Sequence, residues 1–168
     1  TLVQAAGGNT SLKHEGVLWI KASGLYLAHA LERQIMVPVD LAPLMAALER
    51  GDKTADQPHN FTISALNPSG PRPSIETVVH AVMPYRVVVH VHCVETLAVA
   101  VRRDSRAILT ERLDGLNWAL IPYIRPGLPL AHAIMAARAP ETDVIILGNH
   151  GLAIGADSVV EAEALMRR

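Results

Sequence analysis

The stretch VVVHVHCVE, residues 87–95, places two histidines one residue apart in a run typical of a buried strand. Side chains alternate between the faces of a strand, so His90 and His92 point the same way, about 6.5–7 Å apart along the chain. Val91 and Cys93 point to the other face, where Cys93 is predicted to be a small core residue. Burying two imidazoles without partners is costly. The pair therefore indicates either a shared metal ion or two core histidines bonded to backbone carbonyls.

A third histidine favours the metal interpretation. His150 follows the apolar run VIILG, residues 144–148, which predicts a strand that ends at the edge of a sheet, where ligands often gather. Three neutral imidazoles with one open position are typical of catalytic zinc. Manganese, cobalt and iron also accept imidazole ligands, so the sequence leaves the metal open among these ions.

A carboxylate also stands close to the histidine strand in sequence. Glu76 lies in the first turn of a predicted helix, IETVVHAVM, residues 75–83, which Ser74 is expected to cap. A carboxylate beside a divalent cation acts as a fourth ligand or as a general base. Acidic residues also favour helix N-termini for electrostatic reasons alone, which is the alternative here. His80 shares the helix face of Glu76 and either orients its carboxylate, or packs in the core, or is half exposed.

Three turn-like stretches, GGNTS, KASG and PSIE, have the character of anion-holding sites. Glycine lets backbone amides approach a ligand, and helix N-termini present free N–H groups. A lysine and an asparagine add a charge and an amide. Each stretch is also compatible with an ordinary turn or cap. The candidate residues are Asn9, Lys21, Ser23, Gly24 and Ser74.

Composition limits the class of protein. Half of the 168 residues are apolar and 18% are charged, which predicts one globular domain over residues 1–168. The formal charge of −1 and the lack of a basic stripe argue against nucleic-acid binding. A single cysteine favours a reducing compartment, hence a cytoplasmic location, and no apolar run is long enough to span a membrane. The chain opens without methionine and closes inside an apparent helix, so we expect that both ends are trimmed.

Predicted strands and helices alternate along the chain, which indicates a sheet with helices on its faces. The segment SGLYLAHALER, residues 23–33, is predicted to form a short helix. Residues 51–73 are rich in turn formers and predict a long surface loop.

Five stretches together resemble the class II aldolase/adducin-head family, which includes fuculose- and rhamnulose-phosphate aldolases and ribulose-phosphate 4-epimerase. They are GGNTSLK, WIKASG, PSIETVVHAV, VVVHVH and LGNHGLAIG. The resemblance implies a three-layer α/β/α fold with a mostly antiparallel central sheet, and a homotetramer with active sites at subunit interfaces. Residue by residue, it implies zinc ligands at His90, His92 and His150, a catalytic acid/base at Glu76, and phosphate-holding positions at Asn9, Ser23, Gly24 and Ser74.

The implied function is a zinc-dependent aldolase that cleaves a sugar phosphate, or a related polyhydroxy compound, by a retro-aldol step. Epimerisation or dehydration at the same site is the alternative within the family, and a non-catalytic interaction module like the adducin head is the alternative outside catalysis. No nucleic-acid or membrane partner is expected.

Several positions depart from the sugar-phosphate aldolases. Ile75 stands where they carry a second serine before the glutamate, so one phosphate hydroxyl is missing. The fuculose enzyme has a proton-donating tyrosine after the histidine strand, whereas residues 102–114 contain none, which leaves Tyr123 as a nearby candidate. Lys21 resembles the rhamnulose-phosphate aldolase domain that is fused to a dehydrogenase.

Overall fold

A seven-stranded sheet runs through the protein, whose computed structural model describes residues 2–68 and 70–168. The strands are β1 (Asn9–His14), β2 (Val17–Lys21), β3 (Met36–Asp40), β4 (Val87–Val91), β5 (Trp118–Ile121), β6 (Val144–Leu147) and β7 (Gly151–Ala156). Their order across the sheet is β3-β2-β1-β4-β7-β6-β5. Only β5 and β6 pair in parallel among the described strands. The expected mostly antiparallel sheet is confirmed.

Helices cover both faces of the sheet. They are α1 (Leu41–Glu49), α2 (Thr77–Val82), α3 (Val94–Ala100), α4 (Ser105–Arg112), α5 (Leu128–Ala137) and α6 (Val159–Met166). Residues that alternate along β6 show why two helical layers are needed. Ile145 and Leu147 pack with α1, α2 and α5 in the main core, whereas Val144 and Ile146 pack with α3, α4 and α6 on the other face. A strand buried on both faces requires cover on both, which gives three layers.

Strand β4 lies near the middle of the sheet and fixes the neighbours of its histidine. In the antiparallel register with β1, Asn9 stands opposite His90. On the other side His90 stands opposite Ala153 of β7. Cross-strand partners have close Cβ atoms, so this register delivers a polar side chain from β1 to the histidine.

Two local predictions are wrong and one helix was missed. Residues 23–33 form turns around a single 3₁₀ turn at Leu27–His29, because their apolar residues share no buried face and Leu31 is fully exposed. Cys93 is the N-cap residue that precedes α3 and is half-buried, since β4 ends at Val91. Helix α4 falls in a stretch for which no helix was predicted.

The loop predicted over residues 51–73 is confirmed for its described residues, which form short 3₁₀ turns and two isolated bridges between α1 and α2. Ser69 lies outside the described residues. Within the described ranges, no helix combines the length and the apolar character that a membrane crossing requires.

Candidate metal centre

Four side chains from separate parts of the sequence converge at the end of β4. Their potential ligand atoms all lie within 4.8 Å of one another. His90 is on β4 and His92 follows its end, Glu76 immediately precedes α2, and His150 lies in the turn between β6 and β7. The structure thus brings together the three histidines and the glutamate that the sequence singled out.

The two histidines of the opening stretch point to the same side, as the strand period predicts. Their Nε2 atoms are 3.1 Å apart. The Nδ1 atom of His90 lies 2.9 Å from the carbonyl oxygen of Leu152. A carbonyl only accepts hydrogen bonds, so Nδ1 carries the proton and the Nε2 of a neutral ring has a free lone pair. That lone pair faces the centre of the cluster.

A tight turn brings in the third imidazole. Asn149 has a φ of 53°, and the amide of His150 donates to the carbonyl of Leu147 at 3.1 Å, which closes the turn. Gly151 follows with a φ of +155°, and a Cβ there would lie 3.1 Å from Cδ2 of His92. Glycine is therefore needed at position 151, both for its backbone conformation and for the close approach of the histidine rings.

Glu76 is bound at both carboxylate oxygens. Its Oε1 lies 2.7 Å from His150 Nε2 and 3.1 Å from His90 Nε2, and its Oε2 accepts a hydrogen bond from the Asn9 side-chain amide. Burial by itself would raise the pKa of the Glu76 carboxyl. The hydrogen bond and charge of His150 outweigh burial and hold that pKa well below its usual range, so the group is ionised.

The donor chemistry fits a divalent transition metal. Oε1 of Glu76 lies 3.1 Å from the Nε2 lone pair of His90, so two acceptors face each other and a cation between them would satisfy both. Two imidazoles on one tetrahedral zinc ion have nitrogens about 3.3 Å apart, given zinc–nitrogen distances of roughly 2.0–2.1 Å. The 3.1 Å separation of the His90 and His92 Nε2 atoms is close to that value.

The whole chain also matches a known protein family. The family model described as "Class II Aldolase and Adducin N-terminal domain" matches residues 1–167. The chain belongs to this family.

Solved structures of other class II aldolase proteins are similar to this domain over nearly all of its length. The N-terminal class II aldolase domain of a conserved protein from Thermoplasma acidophilum is 28% identical with a TM-score of 0.78, and the match covers 98% of this chain and 86% of that one. The L-fuculose-1-phosphate aldolase from Thermus thermophilus is 21% identical with a TM-score of 0.60, covering 99% and 79%. The latter shows a shared fold.

One curated relative is much longer than this domain. It is named "Uncharacterized oxidoreductase YuxG", from Bacillus subtilis (strain 168), and is 28% identical over 165 residues. The match covers 90% of this chain but only 24% of that protein. The aldolase-family domain thus corresponds to about a quarter of the relative's length.

A second polar contact, between His80 and Ser11, lies outside the histidine–glutamate cluster of this class II aldolase domain. His80 of α2 is fully buried, and its Nδ1 is 2.8 Å from the hydroxyl of Ser11 on β1. Burial lowers the pKa of His80 to about 3, so the ring is neutral. Its side chain therefore ties α2 to β1 and packs in the core, rather than binding the Glu76 carboxylate.

The predicted anion-holding turns meet in space. Ala22 forms an isolated bridge with Pro73, and the amide of Ser23 donates to the carbonyl of Arg72 at 2.9 Å. The exposed Ser23-Gly24 turn is thereby fixed beside Ser74, which is buried. The Ser74 hydroxyl accepts from the amide of Glu76 at 3.2 Å, just before α2 begins.

The sequence predicts that Lys21 binds an anion, but the structure buries this side chain against the backbone. The residue is only 1% exposed. Its ammonium donates to the carbonyl oxygens of Leu25 at 2.7 Å, Ala6 at 3.0 Å and Ala22 at 3.3 Å. Burial lowers the pKa of Lys21, and the charge of Glu76 opposes that effect. Lys21 therefore binds the backbone of the candidate anion-holding turns.

Three features of the site were missed from sequence. The contact between Asn9 and Glu76 joins residues 67 positions apart, and no local pattern predicts it. The Gln4 side chain donates to the carbonyl of His92 at 3.2 Å. A cleft of about 480 Å³ beside His92 and His150 has an apolar wall from α3. The apolar wall could have been predicted from sequence, because its residues recur with helical spacing. They are Val94, Leu97, Ala98 and Val101.

Proposed function

We propose that this domain is a zinc-dependent aldolase that cleaves a sugar phosphate, or a related polyhydroxy compound, by a retro-aldol step. The observation that carries the proposal is the ionised Glu76 carboxylate held within a cluster of three histidines. Membership of the class II aldolase family supports the reaction class. The Thermus relative is named an L-fuculose-1-phosphate aldolase, which supports the substrate class.

The metal site consists of His90, His92 and His150, with Glu76 beside it. Three imidazoles favour zinc, although other divalent transition metals accept the same ligands. When bound, the ion supplies Lewis-acid stabilisation of negative charge on the substrate oxygens. The bond from His90 Nδ1 to the Leu152 carbonyl fixes that ring in the tautomer that metal binding needs.

Glu76 moves the proton at the reacting carbon. In cleavage, the ionised Glu76 carboxylate takes up the proton that the β-hydroxyl of the substrate releases, and the carbon–carbon bond breaks. The bonding electron pair passes into the carbonyl group to give an enediolate, and Glu76 returns the proton to its carbon. In condensation the carboxylate removes that proton, which agrees with its ionised state. Asn9 holds Oε2 and so orients the carboxylate.

The phosphate of the substrate binds at the neighbouring turns. Ser23 and Gly24 present an exposed turn, and Ser74 lies beside it on the segment that leads to Glu76. One N–H of the Asn9 side-chain amide donates to Glu76, and the second is free to donate to the phosphate. A phosphate held here would fix the substrate while the reacting carbon faces Glu76.

The test combines metal content with product analysis. Purified protein is analysed for metal per chain by plasma mass spectrometry, and zinc-loaded protein is assayed on a panel of ketose phosphates. We expect about one zinc per chain and two carbonyl fragments from at least one substrate. An inverted isomer would indicate an epimerase and released water a dehydratase. Metal-loaded protein that turns over no compound in the panel would favour an interaction module and contradict the proposal.

We also propose a homotetramer with active sites at subunit interfaces. Support comes from apolar side chains exposed beside the metal centre, since Val94 and Val101 of α3 are 51% and 59% exposed on the wall of the cleft. Exposed apolar patches of this kind mark interaction surfaces. Sedimentation analysis should give four chains per particle; a monomer at assay concentration would contradict this proposal and leave the chemistry of the site untouched.

A further inference from the structure

Lys21 is a buried cation whose donors are all in use. Its three ammonium protons meet three backbone carbonyls, at Leu25, Ala6 and Ala22, and the residue is 1% exposed. No carboxylate lies within salt-bridge distance of its nitrogen among the described residues. The ammonium therefore has neither a free donor nor the exposure that direct contact with a substrate requires.

The three carbonyls belong to the segments that surround the candidate phosphate site. Ala22 and Leu25 bracket the Ser23-Gly24 turn. Ala6 lies in the loop between Gln4, whose side chain bonds the His92 carbonyl, and the start of β1. One ammonium thus connects the turn with the loop that reaches the metal centre.

Binding the carbonyls orients the amides. The C=O and N–H of a trans peptide point in opposite directions, so a carbonyl drawn toward buried Lys21 directs the amide of the next residue away from it. For the Leu25 carbonyl that amide belongs to Tyr26. In the described part of the chain, the amides of Gly24, Leu25 and Tyr26 make no hydrogen bond. Gly24 has a φ of +74°, a conformation found in turns whose successive amides form anion-binding concavities.

We propose that Lys21 is a positioning residue that shapes the Ser23-Gly24 turn for a phosphate and places a positive charge beneath it. The inference rests on the proposed function, since it concerns the phosphate of that substrate. Lys21 acts through the backbone and does not touch the ligand. A phosphate bound above the Ser23-Gly24 turn would also give the buried ammonium an anionic neighbour.

The chain offers a matched control in Lys13. Lys13 lies at the other end of β1 from Asn9, is partly buried, and also donates to a backbone carbonyl, that of Met83. Burial also lowers the pKa of this lysine. Lys13→Met therefore removes a partly buried lysine that also binds a backbone carbonyl, at a position outside the candidate site.

The test measures binding of inorganic phosphate to zinc-loaded protein by calorimetry. The dissociation constant of Lys21→Met should rise about tenfold, because the variant loses both the charge beneath the turn and the bonds that shape it, whereas that of Lys13→Met should match the wild type. Metal content should stay the same in all three proteins. Equal phosphate affinity in wild type and Lys21→Met, or no phosphate binding by the wild type, would overturn the proposal.

A measurement on the wild type covers the case in which Lys21→Met does not fold. Titration with inorganic phosphate, followed by ¹⁵N–¹H spectra, should shift the amides of Gly24, Leu25 and Tyr26. Unchanged amides would overturn the proposal, because phosphate would then bind elsewhere, for example on the metal.

Kinetics separate the failure of this inference from that of the proposed function. If a ketose phosphate is cleaved, Lys21→Met should raise its KM about tenfold with a smaller change in kcat. Cleavage with a wild-type KM in Lys21→Met would overturn the role of Lys21 and leave the aldolase standing. Phosphate binding that depends on Lys21, without cleavage of any ketose phosphate, would support Lys21 and contradict the aldolase.

Discussion

The two ends of strand β1 bury polar groups in different ways. At one end, which we call the site end, Asn9 donates to Glu76, and Glu76 in turn binds His90 and His150. At the other, the far end, Lys13 donates to the backbone carbonyl of Met83.

The difference lies in the partners. Side chains at the site end bind one another, so the loss of one leaves another buried group unsatisfied and changes the chemistry of the site. At the far end the partner is backbone, so a substitution changes stability without reaching the metal centre. Four substitutions test this contrast, beginning with the largest expected effect.

Glu76→Gln should cause the greatest loss at the site end. The amide keeps the shape of the carboxylate but cannot carry a proton to and from carbon, so kcat on a cleaved ketose phosphate should fall by about 10³-fold. Metal content should stay near the wild-type value, because three imidazoles remain. Glu161→Gln, which alters an exposed carboxylate of α6, should behave like the wild type. A Glu76→Gln protein with wild-type turnover would remove Glu76 from the mechanism.

His92→Ala should weaken metal binding by at least about 100-fold, since loss of even outer ligand partners costs 10–100-fold. Competition with a chromogenic chelator measures the affinity. His132→Ala is the matched control, because that imidazole binds the carbonyl of Leu48 at 2.8 Å, outside the cluster. Equal zinc affinity in both variants would show that the cluster histidines are structural.

Asn9→Ala should lower kcat about tenfold with metal retained. Oε2 of Glu76 would lose its donor, and the carboxylate would be free to turn from its working orientation. Steady-state kinetics and metal analysis report the two effects separately. Thr10→Ala is the control on the same strand, since position 10 pairs with Val89 and its side chain points to the opposite face. If both variants lost activity equally, the effect would belong to β1 as a whole.

Lys13→Met tests the far end through the pH dependence of stability. Burial lowers the pKa of Lys13 from 10.5 to about 8. Below pH 8 the group is protonated in both states, and the cost of burying its charge is fully present. Between pH 8 and 10.5 the folded protein loses this proton first, so the unfolded state binds more protons and the free energy of unfolding rises with pH.

Relative to Lys13→Met, the wild type should therefore gain about 2–3 kcal/mol of stability between about pH 7 and pH 10. Urea unfolding at the two pH values measures the gain, and Lys53→Met, which removes an exposed lysine, serves as the control. A difference between wild type and Lys13→Met that does not change with pH would show that Lys13 is not a buried cation. Metal content should be unaffected throughout.

Much of the candidate site could be predicted because its signals are local. The period of two in β4 sets His90 and His92 on one face, and a loop-and-turn pattern marks His150 after an apolar strand. Its position in the first turn of a predicted helix marks Glu76. Resemblance in five ordered stretches then predicted the mostly antiparallel sheet, which the strand order confirms. The roles of these residues in catalysis and metal binding stay predictions.

Local signals also misled where burial decides structure. Residues 23–33 have helix-forming composition, yet they form turns because no face of the segment is buried, and a short helix without packing is unstable. Helix α4 is the converse case. Its mean composition is polar, and it forms with Leu109 buried against the second face of the sheet.

The sequence by itself determined which chemical groups this protein has and which face of a strand or turn presents them, because those properties follow from residue type and backbone period. Only the tertiary structure decided which groups meet. Asn9 reaches Glu76 across 67 residues and His150 reaches it across 74, and Lys21 binds carbonyls from two segments instead of a ligand. Such contacts depend on strand order and register, which place distant residues side by side and bury them together, and no periodicity along the chain encodes that.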